Sequence, residues 1–288
     1  MSFTDWVYRR YVRFPKAYVD LLDRIHQHLA PRTYVEIGVS TGRSLNLVLP
    51  DTLGVGIDPD PKLDRPPHRR TQVFTMTSDD FFAHQNLEAL LGNQPVDLAF
   101  IDGLHHFEFA LRDFANLERH ASPDSVILVH DCLPIDATTA SREPSVPLEW
   151  SGDVWKLIVC LKQWRPDLKV AVADVAPTGL GIVRHLDPHS TVLMDNHDAL
   201  CEQYLAMPYS ALDRDKAGML NVVDGDWETV RALLPVTPFR SYNVKAYRTR
   251  RAATGVVTTV RHFLGRKRRQ HRRRRRHRRR AARERAAG

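Results

Sequence analysis

The chain has 288 residues, 43% of them hydrophobic, enough to bury the core of one large domain with additions. No run approaches the ~18 consecutive apolar residues of a membrane-spanning helix. The polar start, Met1 to Trp6, lacks the basic-then-apolar pattern of a secretory leader, so a cytoplasmic protein is expected. The net charge of +8 is local. Fourteen of the 42 Lys/Arg but only one of the 34 acids lie in 266–288, leaving 28 bases against 33 acids elsewhere, a net charge of −5. A basic face on the folded body is therefore not expected. Cys132, Cys160 and Cys201 stand far apart and form no metal-binding or disulfide pattern; buried free thiols are the plainer reading.

In chain order, Val19, Leu22, Ile25 and Leu29 recur at helical spacing within 17–29, and Pro31 ends that helix. Residues 33–37 read as a first strand ending at Gly38, 44–49 as a helix, and 53–58 as a second strand ending in an acid. A third strand is expected at 72–75, a helix at 79–91, and a fourth, almost wholly apolar strand at 96–102. Phe107, Leu111, Phe114 and Leu117 mark one face of a helix over 107–119, and a fifth strand follows at 125–131. Residues 133–152, rich in Pro, Ser and Thr, read as a long loop over a site, followed by a helix at 154–164. Strands at 169–174 and 181–186 flank a short connection suited to a hairpin. Strand and helix alternate over about 150 residues, which implies a doubly wound, mostly parallel α/β sheet of seven strands, closed by an antiparallel hairpin.

Two stretches carry chemistry. Glu36, Gly38, Ser40 and Gly42 occupy the turn from the first strand into the following helix, where a ligand can approach the backbone closely. Asp58 ends the next strand, twenty residues beyond Gly38, where a carboxylate can accept both hydroxyls of a nucleoside ribose. The dinucleotide fingerprint spaces three glycines to cradle a pyrophosphate. This loop has two, and the acid at Glu36 would repel a pyrophosphate but suit a cationic amino-acid group. A tight turn without a ligand is the bland alternative, and Asp58 weighs against it. Ser78 and Asp79 stand where the third strand ends, as adenine contacts or as a helix N-cap.

The second stretch runs Phe100-Ile-Asp102-Gly-Leu-His105-His106 and continues into Ala110-Leu-Arg-Asp-Phe114. Asp102 and Asp131 end adjacent strands at the carboxyl edge, where open α/β sheets bind ligands. His105 is the candidate general base, with Asp102 orienting it. The bland reading makes both acids helix caps and His106 the cover of a helix end. Glu108 and Arg112, four apart on a helix, are expected to form a surface ion pair.

These motifs resemble the class I S-adenosylmethionine-dependent methyltransferases, by an E-x-G-x-S-x-G variant of the E/D-x-G-x-G-x-G loop. In particular they resemble the bacterial macrocin and sugar O-methyltransferases, with an I-D-G-x-H segment, an A-L-x-D-F helix and a strand ending in an acid pair. Gly152 to Leu157 adds to the likeness, which spans about 30–187. The resemblance implies a Rossmann-like sheet and S-adenosylmethionine bound by Glu36, Gly38, Ser40, Gly42, Asp58, Ser78 and Asp79. It also implies methylation of a small-molecule or sugar hydroxyl, with Asp102 and His105 catalytic. A divalent ion is the second implied cofactor, at Asp102, position 130 and Asp131. His130 stands where the family has an acid, and imidazole favours zinc, manganese or iron over magnesium.

Four segments follow: an N-terminal helical segment (1–30), the methyltransferase-like domain (31–187), a helical extension (188–265) and a disordered arginine-rich tail (266–288). The tail repels itself and could bind polyanions weakly through phosphate contacts; a solvated, dispensable extension is the plainer reading. Two rivals to the transferase remain. One is an NAD-linked or nucleotide-sugar oxidoreductase on a similar sheet. The other is a non-catalytic protein that binds nucleic acid through the tail. The acceptor motifs of nucleic-acid amino methylation are missing from the sequence.

Overall fold

The computed structural model describes residues 18–144 and 150–243. The tail at 266–288 and the first seventeen residues lie outside the described residues. In order, the elements are α1 (Tyr18–Leu29), β1 (Thr33–Ile37), β2 (Leu53–Asp58), β3 (Thr71–Thr75), α2 (Ser78–His84), α3 (Leu87–Leu90) and β4 (Val96–Ile101). Next come α4 (Phe107–Glu118), β5 (Ala121–His130), α5 (Trp155–Trp164), β6 (Lys169–Asp174) and β7 (Leu180–Arg184). The extension adds α6 (Val192–Asp195), α7 (His197–Leu205), α8 (Tyr209–Arg214), α9 (Lys216–Leu220), β8 (Val222–Asp224) and α10 (Trp227–Leu233). None of the described helices is long and apolar enough to cross a membrane.

The strands form one sheet in the order β3-β2-β1-β4-β5-β7-β6-β8. The first five are parallel, and β7 runs antiparallel between β5 and β6. The Rossmann-like, doubly wound reading and its terminal hairpin agree with this topology. The strand count does not: β8, within the segment expected to be only helical, pairs parallel with β6 and makes eight. At three residues it is too short for an alternating pattern to mark it.

Two other local expectations change. Only Leu45–Leu47 forms a helical turn, of the 3-10 type, where a helix over 44–49 was expected. Pro50 follows closely and pushes its neighbour out of helical geometry. The helix expected over 79–91 divides at Gln85, which is extended, and Asn86 restarts it by accepting a hydrogen bond from the Ala89 amide.

Alternation along the central strands feeds two cores. Val35, Ile37, Ala99, Ile101, Ile127 and Val129 join Phe107, Leu111 and Phe114 of α4. Tyr34, Leu98, Phe100, Val126 and Leu128 join Leu22, Ile25 and Leu29 of α1 on the opposite side. Register then aligns the strand ends. Ile37 pairs with Ile57 and Ile101, and Ile101 with Val129. The next residues along these strands are Asp58, Gly38, Asp102 and His130, so all four stand in one row at the carboxyl edge. Phe114, fully buried at the middle of the α4 face, anchors that helix. Phe114→Ala is expected to cost about 3–5 kcal/mol in urea denaturation; a loss below about 1 kcal/mol would contradict this packing.

Candidate active site

A cavity of about 710 Å³ opens along the carboxyl edge. Its first end is the turn after β1. Gly38, with φ of +87°, lies so close to the end of β4 that a Cβ would overlap the Asp102 carbonyl. Only glycine satisfies both the dihedral and the approach. Ser40 also has a left-handed backbone, and its amide donates to Asp58 Oδ2 at 2.7 Å. Asp58 Oδ1 accepts from the Asp60 amide at 2.7 Å, so the carboxylate is fixed while each oxygen keeps a second lone pair. Gly38, Ser40, Asp58, Ser78 and Asp79 all line the cavity.

Glu36 does not line it. It is fully buried, accepting from Tyr34 Oη at 2.6 Å and Ser44 Oγ at 2.7 Å. Burial pushes its carboxyl up to about 8, against those two hydrogen bonds. Tyr34, two residues earlier, shares its face of β1, which is why the hydroxyl meets it. Gly42 is likewise set back, its amide donating to the Val39 carbonyl at 2.8 Å.

At the other end four titratable side chains converge. His105 Nε2 lies 3.1 Å from Asp131 Oδ2 and 3.6 Å from Asp102 Oδ1. His130 Nδ1 lies 3.0 Å from Asp102 Oδ1 and 3.1 Å from the same Asp131 oxygen. Burial lowers the His105 imidazole, but the Asp131 and Asp102 charges outweigh it and hold it at about 9. Burial raises Asp102, yet His130 and His105 hold it well below the usual carboxylate range. His130 is driven well above its ordinary value, the same carboxylates overcoming burial. Asp131 reaches the cluster through a left-handed backbone, φ +60°, strained for a residue with a side chain, and Thr178 Oγ1 donates to its other oxygen.

The loop after β5 locks His105 in place. Its Nδ1 donates to the Trp150 carbonyl at 3.0 Å, which turns Nε2 inward, and the ring stacks on Trp150. Gly152, φ +58°, packs where a Cβ would overlap the His105 carbonyl, and the Asp153 amide donates to that carbonyl at 3.1 Å. Asp153 Oδ1 accepts from the Phe107 amide at the start of α4. Arg142 ties Asp153 to Glu108, at 2.9 and 2.6 Å.

The expected pair of Glu108 with Arg112 is therefore not formed. Glu108 takes Arg142, and Arg112 makes a two-point contact with Asp79 at 3.0 and 2.8 Å. Both charges have partners on other elements that hold them more firmly than an exposed i,i+4 contact. His106 stands at the start of α4 as expected, its Nε2 on the Arg142 carbonyl. Sequence reasoning missed Trp150, Arg142 and Tyr18. The Tyr18 ring packs 4.0 Å from the His130 ring.

A family model described as a methyltransferase domain matches residues 35–132, the span from β1 through the acid after β5. The match covers about a third of the chain. No curated protein matches it. Solved structures similar to this chain include the O-methyltransferase TomG from Streptomyces achromogenes, involved in tomaymycin synthesis and bound to SAM. It is 16% identical, with a TM-score of 0.46, covering 59% of this chain and 80% of that one. A cofactor-bound protein from MTB, Rv0187, is 16% identical with the same coverage and a TM-score of 0.47. An O-methyltransferase from Bacillus cereus in complex with SAH is 12% identical, with a TM-score of 0.43, covering 58% and 80%.

The Gly152 contact can be tested directly. Gly152→Ala is expected to lose at least the about 1–2 kcal/mol of a left-handed backbone, with the overlap at His105 adding to it. Thermal melting reads the loss; a variant within about 0.5 kcal/mol of wild type would show that the loop does not clamp His105.

Proposed function

We propose that the protein transfers the methyl group of S-adenosylmethionine to a hydroxyl of a small molecule. One observation carries the reading: a single cavity joins the Gly38–Asp58 end to the Asp102–His105–Asp131 end. In this arrangement Asp58 accepts the ribose hydroxyls, and Gly38 lets the cofactor lie against the backbone. The sulfonium then faces the strand ends of β4 and β5. The acceptor oxygen attacks the methyl carbon in line, the carbon–sulfur electron pair stays on sulfur, and the acceptor loses a proton. Alignment in a closed site supplies most of the advantage. His105 Nε2 is the inward-facing atom placed to take that proton once its own has left; Asp102 and Asp131 orient it.

The same donors fit a divalent ion. Ligand atoms of Asp102, His105 and Asp131 lie within 4.8 Å of one another, so an ion could take the place of the proton that His105 Nε2 otherwise shares with the two carboxylates. His130 stands beside this set and donates to both carboxylates. A bound ion would occupy the Nε2 lone pair of His105, so that His105 would then be a ligand and not the base, and would instead lower the pKa of the acceptor hydroxyl. The mixed oxygen and nitrogen donors suit manganese, iron or zinc better than magnesium. The three free cysteines are in keeping with a reducing compartment such as the cytoplasm.

Calorimetry with S-adenosylhomocysteine tests the cofactor end. Wild type is expected to bind in the micromolar range and Asp58→Ala about tenfold or more weakly; no binding by wild type would sink the reading. At the other end, Asp102→Asn and Asp131→Asn are expected to reduce transfer of labelled methyl groups about a hundredfold or more. Their affinity for S-adenosylhomocysteine should change little, and undiminished transfer would remove the cluster from the chemistry.

A further inference from the structure

The acceptor hydroxyl has to lie beside His105 Nε2, and the residues that flank this point present carbon. Trp150 lines the cavity there, its indole stacked on the His105 ring with centroids 5.1 Å apart. Its one polar side-chain atom is already spent, the indole N–H donating to the Ser141 carbonyl at 2.6 Å, so its side chain offers the cavity only carbon. Pro177 lines the cavity one residue before Thr178, whose hydroxyl donates to Asp131. Leu104, half exposed, stands at the rim one residue before His105.

Charge narrows the acceptor further. Among the described residues no lysine or arginine lines the cavity, whereas Asp58, Asp79, Asp102, Asp113 and Asp131 all do. The cations nearest the acceptor end are committed elsewhere. His105 lies on Asp131 and Asp102, and His130 Nδ1 on the same pair. His130 Nε2 is buried without a partner and without surface to offer a ligand. Arg142, the one base in 133–152, holds Glu108 and Asp153, and Arg112 holds Asp79. An anionic group carried in with the acceptor would lose its water among carboxylates and meet no cation.

Resting on the proposed methyl transfer, we propose that the acceptor is an uncharged ring compound and that the Trp150 indole is the wall against which its ring packs. Two ring types share the chemistry required: a phenol brings a π face, and a pyranose a face of C–H groups. Either buries its apolar face on the indole and keeps hydroxyls at its edge, toward His105 and Asp131. Recognition is thereby tied to the chemistry. The Trp150 carbonyl orients His105 through Nδ1 while the side chain of the same residue places the acceptor, so one residue sets both partners of the proton transfer. Carboxylated, phosphorylated and nucleotide-linked acceptors are rejected on charge.

The test is calorimetry on the full chain loaded with S-adenosylhomocysteine, with no metal added, so that ring recognition is read apart from any ion. Two matched pairs serve as probes: catechol with 3,4-dihydroxybenzoate, and methyl glucoside with methyl glucuronide. At least one uncharged member is expected to bind in the millimolar range or tighter, and its carboxylate partner about tenfold or more weakly. The pair that binds distinguishes an aromatic from a sugar acceptor. Trp150→Ala leaves the carbonyl that holds His105 and should weaken the uncharged ring about tenfold or more. Trp150→Phe keeps a flat ring without the N–H on Ser141 and should stay within about threefold of wild type. A carboxylate bound as well as its uncharged partner would overturn the assignment, as would failure of both uncharged rings or full affinity in Trp150→Ala. Equal loss in both variants would make Trp150 a tether for its loop and overturn it too. If wild type did not bind S-adenosylhomocysteine, the methyl-transfer reading itself would fall; with that binding intact, any of these results removes only the acceptor assignment.

Discussion

The site depends on how closely the end of β1 approaches the end of β4. Parallel pairing brings Ile37 beside Ile101, and the chain at Gly38 then turns so tightly against the Asp102 carbonyl that no side chain fits between them. That contact sets the position of the glycine turn, of Ser40 and, through the Ser40 amide, of Asp58. It also sets Asp102, whose amide donates back to the Ile37 carbonyl at 2.8 Å. One backbone approach thus fixes both ends of the cavity, and the two apolar cores on either side of the sheet keep it from opening.

The second organising feature is electrostatic. Asp102, Asp131, His105 and His130 would repel or desolvate one another if any were charged alone, yet together they balance. The surrounding structure holds them there at a cost. Asp131 adopts a strained backbone, Trp150 and Gly152 pin His105 from across the loop, and Tyr18 covers His130. Strain and preorganised charge concentrated at one strand edge are what a site for moving protons or holding a cation requires. Asp153 extends this support to α4, since it binds both the His105 carbonyl and the first amide of that helix.

Much of this was legible in the sequence, because β-rich runs ending in glycine or acid carry their own punctuation. β1, β2 and β6 fall within the residues expected, and the acids at 58, 102 and 131 stand at or just beyond strand ends. What the sequence concealed depends on contacts distant along the chain. Glu36 reads as a cofactor contact because it precedes a glycine loop. Its partners Tyr34 and Ser44 reveal a buried structural carboxyl, and a tyrosine two residues earlier on the same strand face was the available signal. Glu108 and Arg112 have suitable helical spacing but find Arg142 and Asp79 elsewhere. Trp150 lies 45 residues from His105, in a loop whose composition suggests cover for a site but does not say which of its residues meets His105. β8 is too short to show a period, and the burial of Asp113 beside the cavity appears only once α4 is packed on the sheet.

The most direct measurement of the central claim is a crystal structure with S-adenosylhomocysteine and manganese. The account predicts ribose hydroxyls on Asp58 and the sulfur directed toward Asp102. It further predicts an anomalous peak bounded by Asp102, His105 and Asp131. A ligand seated away from the β1–β2–β4 edge, or one whose ribose does not meet Asp58, would contradict it.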